Sequence, residues 1–245
     1  MNIYKDEILI NLNQQISLMK KMGIQFNILD EENTKLYLKN DNYYFKIMMF
    51  KDNYVKSNNG KYRDLEFIYL KEFSIIDRHL RYLLIQMTLD IGHFTKLFLV
   101  NLLIFHQENM YEIIQDYIGQ LSEESKSKFY NELKRNNHYF SIVENNILDF
   151  YVFIEMVSFG RVLDFYKFCS LRYKDKDMLE KYYMLRACKE LRNNVAHNKC
   201  ILNDLHNSNQ KYNANYQINR ELSNINNISK VTRNKKCRIL DWKKL

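Results

Sequence analysis

Residues 184–202, MLRACKELRNNVAHNKCIL, repeat apolar side chains at the spacing of one helix face. At 100° per residue, Met184, Cys188, Val195 and Leu202 fall within about 60° of Leu191. That stripe is expected to be buried. Arg186, Glu190, Asn193 and His197 gather on the opposite side. The reading predicts a long helix over 176–203 and, with it, a helical protein.

The rest of the chain agrees. Proline is absent and glycine occurs five times in 245 residues, where average usage would give roughly 12 prolines. Proline breaks helix interiors, and tight β-turns need glycine. The composition therefore predicts an all-α fold. Hydrophobic content of 46% and charged content of 27% suit a globular core rather than a disordered chain.

Further helices follow from local signals. Ile8, Leu9, Leu12, Ile16 and Met19 mark one over 4–22, with Gly23 as its stop. Asp30 is placed to cap a second, carrying Leu36 and Leu38. The aromatic stretch NDNYYFKIMMF (40–50) fits no single period, and KSNNGK (56–61) reads as an exposed loop. From Asp64 to Phe105 the pattern predicts two helices broken near Asp90–Gly92. Ser122 or Ser125 caps the next, and helices are expected over 125–136, 145–157 and 161–171. The sequence divides into a helical domain, 1–205, and an Asn-rich, basic tail, 206–245, expected to be partly helical or mobile.

Charge and cysteines narrow the function classes. A net charge of +8 favours a polyanionic partner, RNA or DNA before membrane. A solvated lysine-rich surface accounts for it equally well. Cys169, Cys188, Cys200 and Cys237 form no CxxC pair and read as reduced thiols, implying a cytoplasmic protein. LFLVNLLIF (97–105) is about half the length of a bilayer span; a buried helix and no membrane partner are expected. No HExxH or paired-cysteine spacing predicts a metal, and no Walker A loop or dinucleotide turn is present. No cofactor is therefore expected.

The candidate site lies on the polar side of 184–202. Asn193 and His197 are four residues apart and hence surface neighbours, so Asn193 is placed to fix the imidazole tautomer. Arg192 lies about 140° from His197 on a regular helix. The two cannot easily meet at one atom unless Arg192 wraps round, the helix distorts, or a second copy supplies the opposing group across a two-fold axis. Taken alone, the stretch fits either the wet face of a helix or a catalytic site.

Four segments in register widen the context. LRNNVAHNKCILN (191–203), NDNYYFKI (40–47), IIDRHLRYLLI (75–85) and IEMVSFGRVLDFYKFC (154–169) resemble the Abi-like, AbiD/AbiF-type family of abortive-infection proteins over about residues 5–205. That family belongs to the HEPN group of helical bundles, so the resemblance implies a HEPN-type bundle with added N-terminal helices. It further implies a metal-independent endoribonuclease acting in phage defence or as a toxin. By position, Arg192, Asn193 and His197 match the catalytic motif, and Asn203 matches its trailing asparagine. Cys200 stands where many relatives carry a basic residue, a gap that Lys199 could fill. Lys199, Asn203, Arg186 and Lys189 are the expected RNA contacts. Expected partners are substrate RNA, a protein or noncoding RNA antitoxin, and a second copy of the chain. The rival readings are a non-catalytic RNA-binding module of the same fold and a DNA-binding regulator.

Asp77 and Arg81, four apart, read first as a structural ion pair. The resemblance implies that Glu155 orients a site residue; a bridge between buried polar groups fits it equally. Tyr43 and Tyr44 read as core packing rather than base-stacking.

Overall fold

The computed structural model describes residues 10–135 and 148–203. Among them the chain forms nine α-helices, a 3-10 turn and two strands of two residues each, so the fold is all-α. Asn11 and Gln14 cap the first helix, α1 (Leu12–Lys21), each side chain accepting from the other's backbone N–H. Ile16 and Met19 are buried on it, whereas Ile8 and Leu9 lie outside the described residues. Gly23 ends the turn at φ +86°, and a Cβ there would come within 2.9 Å of Lys61 Cβ. Only glycine fits that crossing without strain.

Asp30 caps α2 (Glu31–Asn40), its carboxylate accepting from Asn33 N at 2.8 Å. Leu38 is buried there and Leu36 is 55% exposed, as two residues about 200° apart on one helix must divide. The ambiguous aromatic stretch becomes α3 (Tyr44–Met48) and the 3-10 turn Met49–Asn53. β1 (Ile24–Gln25) pairs parallel with β2 (Leu65–Glu66), a contact between segments 41 residues apart that no local pattern announces.

The helix α4 runs unbroken from Phe67 to Phe105, 39 residues. The break expected near Asp90–Gly92 does not occur. One glycine costs a helix only about 1 kcal/mol relative to alanine, and Gly92 is buried against two other helices, so tertiary packing outweighs that preference. Leu70, Ser74, Asp77, Arg81, Thr88, Gly92, Thr95, Leu99 and Leu103 lie on its buried side, at steps of three, four or seven residues. By length and composition α4 is also the one helix among the described residues that could cross a membrane.

Beyond it come α5 (Glu112–Gly119), α6 (Glu123–Arg135), α7 (Phe150–Met156), α8 (Phe159–Arg172) and α9 (Lys176–Ala196). Ser122 Oγ accepts from Ser125 N at 3.3 Å, closing the start of α6 as expected. Two aromatic-rich cores result. One gathers Leu99, Ile113, Phe129, Phe153 and Phe165; the other gathers Met19, Ile47, Phe50, Leu65 and Phe67. α4 contributes to both. Leu191, Val195 and Ile201 pack on Leu80, Leu84 and Ile85 between them, which lays the end of α9 along α4. The tail 206–245 lies outside the described residues.

Candidate active site

The helix carrying the motif stops earlier than its pattern predicts. α9 ends at Ala196, with His197 as its cap, and Asn198 takes a left-handed φ of 58°. Lys199 N then donates to Asn194 O at 3.0 Å and Asn198 N to Val195 O at 2.9 Å, which satisfies the last carbonyls of the helix. Asparagine tolerates this backbone region better than most residues. The predicted stripe therefore holds only in part. Leu191 and Val195 are buried and Met184 and Cys188 half-buried, whereas Leu202 arrives by a turn rather than by helix continuation.

His197 and Asn193 are both exposed. The bond between them is a backbone one, His197 N to Asn193 O at 2.9 Å; among the described residues no side-chain hydrogen bond joins the two. The expected tautomer-fixing contact is thus not made in this conformation.

Arg192 is half-buried where α4, α8 and α9 meet. Its guanidinium lies over the Phe159 ring, 5.7 Å from the centroid. Its Nη1 is 3.5 Å from where a Cβ on Gly92 would stand. Among the described residues no carboxylate pairs with it. Cation–π packing of this kind orients a guanidinium without consuming its hydrogen-bonding edge. Arg192 and His197 share no hydrogen bond among the described residues.

The remaining predicted contacts divide. Lys189 lays its chain along Gly160, with Cε 3.4 Å from that glycine's Cβ position, and pairs with Glu190 at 3.5 Å. Arg186 is exposed over the Tyr182 ring at 5.9 Å. Arg186, Lys189 and Arg192 therefore step along α9 three residues at a time. On α8, burial raises the Asp164 carboxyl above its ordinary range, while nearby Arg161, Lys189, Arg186 and Lys167 pull it back. Lys199 is exposed and Asn203 half-buried.

The turn after His197 is held by residues far away in sequence. Asp77 is fully buried and pairs with Arg81 on its own helix. Its other oxygen accepts from Ile201 N at 2.6 Å and Leu202 N at 2.9 Å. Arg81 also donates to Lys199 O at 3.4 Å, and Asn53 Nδ2 to Leu202 O at 2.7 Å. Buried Lys46 donates to Asn198 O, and burial holds its ammonium below the usual lysine range. A carboxylate removed from water is tolerated only when paired and hydrogen-bonded in this way. The Asp77–Arg81 spacing was legible as an ion pair, but its grip on 199–202 and the parts played by Lys46 and Asn53 were not.

Two other expectations need correction, and Cys200 lies in the interior. Cys200 is 5% exposed, its thiol facing Lys46 O at 3.8 Å and pushed up by burial. Position 200 thus presents nothing to solvent in this chain. Glu155 neither bridges buried groups nor reaches the motif. Its side chain is 68% exposed and meets Lys96 at 3.4 Å. Tyr44 packs on the N-terminal core as expected, but Tyr43 is exposed.

The arrangement offers an exposed imidazole at a helix end and a stacked guanidinium without a carboxylate partner. The first can transfer protons, and the second can hold a phosphate. Among the described residues no three His, Cys, Asp or Glu side chains come together as metal ligands would. No curated protein and no solved structure matches the chain. A family profile described as "Abi-like protein" matches residues 36–203, which take in the motif helix, its clamp and all of α4. The chain belongs to the Abi-like protein family.

Proposed function

We propose that this chain is a metal-independent endoribonuclease of the HEPN type, serving phage defence by abortive infection or acting as a toxin. The observation that carries the reading is Arg192. It is stacked on Phe159 with no carboxylate partner among the described residues, on the same helix whose cap is the exposed His197. Family membership supports the defence setting.

RNA brings its own nucleophile. The 2′-oxygen attacks phosphorus, the phosphorus–O5′ bond breaks, and the products are a 2′,3′-cyclic phosphate and a 5′-hydroxyl. His197 takes the 2′ proton or gives one to the departing O5′. Arg192 neutralises charge that builds on the non-bridging oxygens. Asn193, exposed one turn before His197, binds a phosphate oxygen or ribose hydroxyl. Lys189, Arg186, Lys199 and Asn203 guide the strand. The working unit is a homodimer in the cytoplasm, restrained until needed by a protein or RNA antitoxin.

The test is cleavage of end-labelled single-stranded RNA in EDTA. Wild-type protein is expected to cut and leave cyclic phosphate ends. His197→Ala should be slower by about 10²–10⁴-fold while its RNA affinity is retained. Equal cleavage by both proteins would remove His197 from the chemistry. RNA binding without cleavage by either would favour the non-catalytic module.

A further inference from the structure

A short turn joins α8 to α9, and side-chain contacts show the two helices running antiparallel. Phe159 meets Arg192, Gly160 meets Lys189, and Lys167 meets Tyr182. Each step forward on α8 is thus a step back on α9. The cations of both helices line one seam, which runs from Arg192 past Lys189 and Arg161 to Lys167 and Arg186.

These cations differ in what neutralises them. Arg161 meets Glu132 at 3.7 Å and Asp164 at 3.9 Å, and Lys189 meets Glu190 at 3.5 Å. Lys167 and Arg186 are exposed, and among the described residues neither forms a salt bridge. They share a support instead. Tyr182 is only 6% exposed, and its ring lies 5.7 Å from Lys167 Nζ and 5.9 Å from the Arg186 guanidinium. A ring face attracts a cation without using its N–H donors. Two cations on one ring repel each other, and an anion that meets both relieves the repulsion. Arg192 over Phe159 repeats the same device at the other end of the seam.

We infer that Lys167 and Arg186, set on Tyr182, form a second phosphate-binding site for the RNA strand, apart from the reacting phosphate at Arg192. The strand is the substrate proposed above, and the site deepens that reading. From Arg186 to Arg192 the helix rises roughly 9 Å. At 3.4 Å or more per phosphate of a strand, the second site holds a phosphate about two nucleotides from the one that reacts. Lys167 stands on the neighbouring helix and completes a grip that α9 alone leaves one-sided. Asp164 lies one turn before Lys167 on α8 and is exposed. Its carboxylate repels an incoming phosphate while the cations around it attract one. Removing Lys167 and removing the charge of Asp164 therefore act in opposite directions on the same strand.

The test is fluorescence anisotropy of a labelled oligouridylate of about 12 nucleotides, titrated with the full chain at several salt concentrations. His197→Ala serves as the parent, so that the strand is not cut. Adding Lys167→Ala should weaken binding about 3–10-fold and lower the slope of log affinity against log salt by about 0.7. Lys167→Arg should retain the parent's affinity. Adding Asp164→Asn should tighten binding several-fold. Both side chains are exposed, so circular dichroism should not change. Affinity and salt slope unmoved by Lys167→Ala, or weaker binding with Asp164→Asn, would overturn the inference. Cleavage in EDTA by the chain with its native His197 is read separately. Opposite shifts in affinity without any cleavage would keep the second site and remove the nuclease. Cleavage with affinity indifferent to both changes would do the reverse.

Discussion

Asp77→Asn tests whether the motif is held from a distance. Asparagine keeps the shape and one acceptor for the N–H groups of Ile201 and Leu202, but it removes the charge. Arg81, only 7% exposed, then loses its counter-ion inside the protein, and Lys46 nearby is also 7% exposed. Breaking a buried pair from one side costs about 3–5 kcal/mol. Asp77→Ala also strands two N–H groups, at roughly 1–3 kcal/mol each. Against a total stability on the order of 5–15 kcal/mol, the asparagine variant should fold and the alanine variant should be marginal. Urea unfolding followed by circular dichroism reads the loss. Arg81→Leu combined with Asp77→Leu should cost less than the two single changes added together, because no lone charge remains. In the asparagine variant, backbone exchange at 199–202 should quicken before exchange in the α8 core. An Asp77→Asn cost below about 1 kcal/mol, or strict additivity in the double variant, would refute the clamp.

Two further outcomes follow from geometry and burial. Gly92→Ala should be tolerated, since its Cβ would meet Arg192 Nη1 at an ordinary 3.5 Å. Gly92→Leu must push the guanidinium off Phe159 and should lower RNA affinity several-fold, with α4 still helical; unchanged affinity would separate Arg192 from binding. The protein should also lose stability in alkali. Burial pushes the phenols of Tyr117 and Tyr166 and the thiol of Cys169 up to about 12. The folded chain keeps these protons after the unfolded chain has released them. Their contribution is therefore complete below about pH 9 and is lost as pH rises towards 12. Urea midpoints should fall across that window, and less steeply in Tyr166→Phe; a flat profile would contradict the burial.

What was legible in the sequence was local. Missing proline and periodic apolar residues predicted helices, and Asp30 and Ser122 marked starts because a cap needs only its own next turn. The motif helix showed its buried side at Leu191 and Val195 for the same reason. What was hidden depended on distant partners. Gly92 looked like a break because Arg192 and Phe159, which enclose it, lie at least 67 residues away. The end of α9 was misplaced because apolar residues continue past it, while termination rests on the left-handed Asn198 and a carboxylate 121 residues earlier in the chain. Cys200 looked like a gap in a basic surface and is instead interior, since the turn at 198 reverses which side of the chain faces out.

The ties between Asp77, Lys46 and the 198–202 turn also bear on the order in which the protein can be assembled. During translation the first half of the chain emerges with its acceptors and cations unmatched, since the segment they grip is nearly the last of the helical domain to be made. The motif helix can be fixed in place only once residue 202 has cleared the ribosome. A nascent chain, or one cut short before that point, would carry the arginine and histidine without their support. A chain acting as proposed above would stay inert until residue 202 had been made.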